Sequence, residues 1–170
     1  MTYRLALRTR TDTVRPSRSA HENPPMNQKD FLDKLEDERI VAAIAAAEKK
    51  SSGQIRVYIS QRNIADALEA AREQFQKLGM THTKDRNGVL LYFAPESRNF
   101  AVVGDEGVHA RCGEAFWNST VAEIAEHLKA DRLTEAVVHA IEKVGGLLAE
   151  HFPRRADDQN ELPDRVERGL

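Results

Sequence analysis

Val89-Leu90-Leu91-Tyr92-Phe93 is an unbroken apolar run of strand length. A strand with no polar alternation needs cover on both of its faces. The chain is therefore expected to place layers of helix on either side of a sheet.

The flanking patterns agree. Residues 54–60 alternate, with Ile55, Val57 and Ile59 on one face and Arg56, Tyr58 and Ser60 on the other, which predicts a half-buried strand. Ile64, Leu68, Ala71, Phe75 and Leu78 recur at helical spacing and Gly79 ends the run. A strand, a helix and a second strand predict parallel pairing through a right-handed crossover. Pro95-Glu96-Ser97 then turns the chain into Phe100-Ala101-Val102-Val103, an antiparallel third strand closed by Gly104.

Helical stripes flank this unit. Phe31, Leu32 and Leu35 form the first. Ile40, Val41 and Ile44 form the second, with Asp37 as its expected cap and Ser51-Ser52-Gly53 as its end. Trp117, Val121, Ile124 and Leu128 form the next. Leu133, Val137, Ile141, Val144, Leu148 and Phe152 form the last, with Gly145-Gly146 inside it for close helix packing. The order α-α-β-α-β-β-α-α predicts an α/β fold. Specifically, it is a three-layer α/β/α sandwich with a small mixed sheet, made from a β-α-β unit and an antiparallel hairpin.

A chain of 170 residues suits one such domain. Residues 27–152 carry the pattern. Residues 1–26 hold a surplus of arginine and are expected to be a disordered leader, or to precede a true start at Met26. The polar segment 153–170 is expected to be a loosely attached C-terminal tail. The net charge of −2 divides into +3 over residues 1–25 and −5 over the rest, so no broad electrostatic drive towards nucleic acid exists. No apolar run reaches the ~20 residues needed to cross a bilayer. A single cysteine, Cys112, excludes an intrachain disulfide and a four-cysteine zinc module, and a cytoplasmic location is expected.

The hairpin topology decides which loops meet. The second strand begins near Gly88 and the third ends near Gly104, so antiparallel pairing brings residues 81–87 beside residues 104–109. Asp85, Asn87, Gly88, Gly104, Asp105 and Glu106 thus form the candidate ligand site, with His82 and His109 nearby. Oxygen groups of this kind suit a divalent cation such as Ca²⁺ or Mg²⁺, for which Asp85, Asp105 and Glu106 are the candidate ligands. Glycines 88, 104 and 107 are expected to let backbone approach a ligand. The other end of the parallel strands offers Arg62 and Arg98 for an anion, without a phosphate-binding glycine loop.

Other chemistries fail on spacing. A thiol phosphatase needs an arginine six residues after its cysteine, where this chain has Asn118. Counting from Asp85, the fourth position is Gly88, whereas a calcium-binding EF-hand has its glycine sixth. Glu106, His109 and Cys112 stand three apart on one helical face but lack a fourth metal ligand. His127, His139 and His151 are expected to be solvated helix residues. No serine stands in a nucleophile turn.

At Ile55-Arg56-Val57, Arg86-Asn87-Gly88-Val89-Leu90-Leu91 and Gly104-Asp105-Glu106-Gly107 the chain resembles the TPM domain family. Lys77-Leu78-Gly79-Met80, His109-Ala110-Arg111-Cys112-Gly113, Ala115-Phe116-Trp117 and Asn160-Glu161-Leu162-Pro163-Asp164 are similar to its compact bacterial members. The resemblance implies the same three-layer sandwich and points to the two loops already joined. Some relatives are credited with weak acid phosphatase activity and calcium binding, and others act as non-enzymatic modulators of membrane complexes. The expected activity is thus weak metal-dependent phosphomonoester hydrolysis. The alternative is a non-catalytic module that binds Ca²⁺, another ligand or a protein partner.

Overall fold

The computed structural model describes residues 35–158, 162 and 165–169. Its elements are α1 (Asp37–Glu48), β1 (Gln54–Ser60), α2 (Ala67–Lys77), β2 (Gly88–Ala94), β3 (Asn99–Gly104), α3 (Glu106–Lys129), α4 (Leu133–His151) and β4 (Val166–Gly169). Short 3-10 turns at Met80–His82 and Pro95–Ser97 precede β2 and β3. Phe31 and Leu32 of the first predicted helix lie outside the described residues, while Leu35 is buried.

The sheet order is β3-β2-β1-β4. β1 and β2 run parallel, with Ile55 opposite Val89 and Val57 opposite Leu91. β2 and β3 run antiparallel, with Val89 opposite Gly104 and Phe93 opposite Phe100. Both relationships follow the pattern reading. β2 is buried along its whole length, as its unbroken apolar run requires.

Alternate residues of the sheet enter two cores. Val57, Val89, Leu91 and Val102 pack with Ile40 and Ile44 of α1, Val121 and Ile124 of α3, and Val137, Ile141, Val144 and Leu148 of α4. Leu90, Tyr92, Ala101 and Val103 face the other way, onto Leu68, Ala71 and Phe75 of α2 and onto Met80. Each fully buried aliphatic side chain contributes about 1.5–3 kcal/mol relative to exposure. The result is an α/β sandwich of three layers around a mixed sheet.

Several local details differ from expectation. Asp37 does not cap α1. Glu36 stands at that position without a side-chain cap, and its backbone N–H donates to Thr134 Oγ1 at 3.3 Å. α2 starts at Ala67 rather than Ile64, because Asp66 accepts from the N–H groups of Leu68 and Glu69. Gly145 lies against α1, where an added Cβ would come within 2.7 Å of Ala47 Cβ, so close packing explains that glycine. α3 is kinked at Gly113, whose φ of +70° is left-handed.

The largest correction concerns the end of the chain. Within the segment expected to be a loose tail, Val166–Gly169 is a strand that pairs in parallel with β1. This pairing also corrects the half-buried reading of β1. Arg56 is buried because its guanidinium meets Glu167 of β4, and buried Gln54 accepts the Leu162 N–H through Oε1 at 2.9 Å. Tyr58 stacks on Tyr92 across the sheet, with ring centroids 5.3 Å apart. The polar face of β1 is thus covered by chain that carries almost no apolar signal.

Candidate functional site

The two loops meet as the hairpin topology requires. Asp105 N–H donates to the Gly88 carbonyl at 2.9 Å, and Gly107 N–H donates to the Arg86 carbonyl at 3.0 Å. Gly107 makes this approach possible. A Cβ there would overlap the Asp85 carbonyl oxygen and stand 2.7 Å from that of Arg86.

An ion pair locks the junction. Arg86 Nε donates to Asp105 Oδ2 at 2.7 Å, and Nη2 donates to Oδ1 at 2.8 Å. This two-point fork is the strongest geometry open to a guanidinium and a carboxylate. Asp105 is also the N-cap of α3, because Oδ1 accepts from Glu106 N–H at 2.8 Å. Only 4% of Asp105 is exposed. Arg86 itself has a φ of +51°, a conformation that L-residues adopt at a cost of about 1–2 kcal/mol. Its hydrogen bonds to Asp105, then the charge of that carboxylate, raise its pKa above the ordinary guanidinium value.

Asn87 is sealed beneath this pair. Its backbone N–H donates to Thr83 Oγ1 at 3.2 Å, its Nδ2 donates to Ser52 Oγ at 3.1 Å, and its carbonyl accepts from Gln54 N–H. The Oδ1 atom is buried without a hydrogen-bond partner among the described residues. Asp85 is half-buried, whereas Glu106 and His82 are exposed.

The glycines serve the fold rather than an open approach. A Cβ on Gly88 would press on the Met80 carbonyl oxygen at 3.2 Å, and one on Gly104 would stand 2.9 Å from the Trp117 ring. The space beside them is filled by the chain itself.

Of the three carboxylates expected to hold Ca²⁺ or Mg²⁺, Asp105 is engaged by Arg86 and by the start of α3, Asp85 is half-buried and Glu106 is exposed. A carboxylate has about four lone-pair directions. Asp105 accepts two hydrogen bonds on Oδ1 and one on Oδ2, which leaves one direction on Oδ2. Among the described residues, no three His, Cys, Asp or Glu side chains gather as a metal centre. Glu106, His109 and Cys112 all lie on α3 and do not gather in this way either.

Elsewhere the chemistry is modest. Burial, and then the charge of Glu150, pushes the Cys112 thiol up to about 11, so it is a poor nucleophile near neutrality. At the other sheet end, Arg62 is exposed and Arg98 takes a left-handed φ of +52°. Loops there are tied together by Ser97 Oγ, which accepts from Ile64 N–H, and by Asn99 Nδ2, which donates to the Ile64 carbonyl. His139 is not simply solvated, since its Nε2 lies 2.6 Å from Glu123 Oε2 and its ring stands beside that of His127.

Sequence reasoning brought the correct loops together and overlooked Arg86, the residue that closes them. The available signal was an arginine on one loop and an aspartate at the start of a helix on the other.

Comparison with known proteins bears on the family and the fold. No curated protein matches the chain. The chain is similar to the BA42 protein of the psychrophilic bacterium Bizionia argentinensis, at 38% identity over 79% of this chain and 92% of that one, with a TM-score of 0.74. It shares the fold alone with the N-terminal domain of the cg2496 protein of Corynebacterium glutamicum. That likeness is 16% identical over 76% of this chain and 75% of that one, with a TM-score of 0.51. The model of the TPM domain matches residues 26–147, which include α1 to α3, both site loops and most of α4. With three of the four sheet strands, both loops and most of its length inside that match, the chain belongs to the TPM domain family.

Proposed function

We propose that this TPM domain is a non-catalytic binding module whose two-loop junction and surrounding surface contact a protein partner. One observation carries the reading: both oxygens of Asp105 are held by Arg86, so the most buried acid of the junction is committed to structure. Metal-dependent phosphomonoester hydrolysis would ask the same carboxylate to help hold a cation that polarises phosphate and activates water. The raised pKa of Cys112 supports the same reading, because it leaves the one thiol unsuited to nucleophilic attack. A cytoplasmic location accords with a lone cysteine. Among the described residues, no helix is long and apolar enough to cross a membrane.

The test is phosphomonoester turnover by the purified full chain, with and without Ca²⁺ or Mg²⁺, beside Asp85→Ala and Asp105→Ala. The expected result is no turnover that depends on either carboxylate. Metal-dependent turnover lost in both variants would overturn the module reading and restore the hydrolase.

A further inference from the structure

Arg86 bonds to the opposite loop through both its side chain and its main chain. The guanidinium takes both Asp105 oxygens, and the Arg86 carbonyl accepts from Gly107 N–H. Asp105 answers in kind, donating its N–H to Gly88 while capping α3 through Oδ1. Lys84 and Arg86 against Asp85, Asp105 and Glu106 leave the junction a formal charge of only −1. Where loop carboxylates converge on a divalent ion, the ion neutralises and fastens them. Here the chain supplies a cation of its own.

We infer that Arg86 is the tethered counter-cation of this junction, and that it makes the order of the two loops independent of Ca²⁺ and Mg²⁺. The guanidinium neutralises the buried carboxylate, spans the loops and takes one lone pair on each Asp105 oxygen. The inference goes beyond the binding-module reading, since a junction closed by arginine is compatible with either catalytic outcome.

Thermal unfolding of the full chain in EDTA, and in millimolar Ca²⁺ or Mg²⁺, tests it without reading turnover. The wild-type Tm is expected to be the same in all three conditions. Arg86→Gln leaves the buried Asp105 carboxylate without its guanidinium and should lower Tm by about 5 °C. Its Tm should then rise with Ca²⁺, and Arg86→Gln/Asp105→Asn should abolish that rise. Should Arg86→Gln fail to fold, Arg86→Lys keeps the charge without the fork, and should fold with a lower Tm that Ca²⁺ leaves unmoved. A wild-type Tm that climbs several degrees with Ca²⁺ or Mg²⁺, and does not in Asp105→Asn, would overturn the inference. A negative turnover assay would not touch it, so the two readings fail separately.

Discussion

Arg56 of β1 and Glu167 of β4 meet at 3.2 Å, with side chains only 4% and 19% exposed. The pair lies 111 residues apart in sequence and fastens the last strand to the sheet. Around it, Gln61 N–H donates to the Gly169 carbonyl at 2.7 Å, and Arg168 forks onto Asp37 of α1. A Cβ on Gly169 would overlap the Tyr58 hydroxyl, so β4 must end on glycine to lie flat there. The C-terminal strand is integral to the layer that carries the site.

Glu167→Ala is expected to destabilise the fold by about 3 kcal/mol, because it leaves a buried guanidinium without its carboxylate. Replacing both partners with apolar residues, as in Arg56→Met/Glu167→Leu, should recover most of that loss. Urea unfolding of the three variants measures both numbers. Equal stability of Glu167→Ala and wild type would show that the Arg56–Glu167 pair contributes nothing to the docking of β4.

Glycines make a sharper set of contrasts. Gly107→Ala drives a methyl into the Asp85 and Arg86 carbonyls and should cost about 2–3 kcal/mol, with loss of amide exchange protection at Asp105 and Gly107. Gly145→Ala meets Ala47 Cβ at 2.7 Å and should destabilise the α1–α4 contact. Gly146 is exposed in the same helix with nothing within 4 Å of an added Cβ, so Gly146→Ala should stabilise by about 1 kcal/mol. Neighbouring glycines with opposite signs are the expected outcome of denaturant titrations.

The parts of this fold visible in sequence are those that apolar burial dictates. Leu90 and Leu91 enter opposite cores, and an unbroken run is the only pattern that allows this. The hairpin register then joined the Asp85 and Asp105 loops before any side chain was placed. β4 stayed hidden because Val166-Glu167-Arg168-Gly169 has one apolar side chain, and its docking depends on an ion pair, a main-chain ladder and a glycine. The chemistry of the junction was hidden for a related reason. Residue type marks Asp105 as a possible ligand and a possible cap equally well, and only the folded chain shows that it caps α3 and pairs with Arg86.

Cys112 offers a direct probe of the α3 kink. Burial penalises the thiolate and moves its pKa from 9.0 to about 11. At pH 8 the thiolate fraction falls with that two-unit rise, so alkylation in the folded chain should run about a hundredfold slower than for an unperturbed thiol. Unfolding in urea should restore the ordinary rate. Rapid alkylation of the native chain at pH 8 would mean that the bend at Gly113 leaves the thiol open to water.

The Glu123 carboxylate gives the fold a pH dependence of known sign. On α3 it accepts from Lys143 of α4 and pairs with His139, and these hydrogen bonds, Lys143 first, lower its pKa below 4.5. A depressed folded-state pKa contributes stability that is present above the unfolded value and lost as pH falls through the folded one. Wild type should therefore exceed Glu123→Gln in stability at pH 7. The gap should close as acid protonates the carboxylate below the ordinary range. Side-chain exposure of 38% keeps the effect to about 1 kcal/mol or less, and added salt should shrink it further. Parallel urea titrations at pH 7 and pH 3, in low and high salt, measure it. A difference that persists unchanged at pH 3 would assign Glu123 a role in packing rather than in charge pairing.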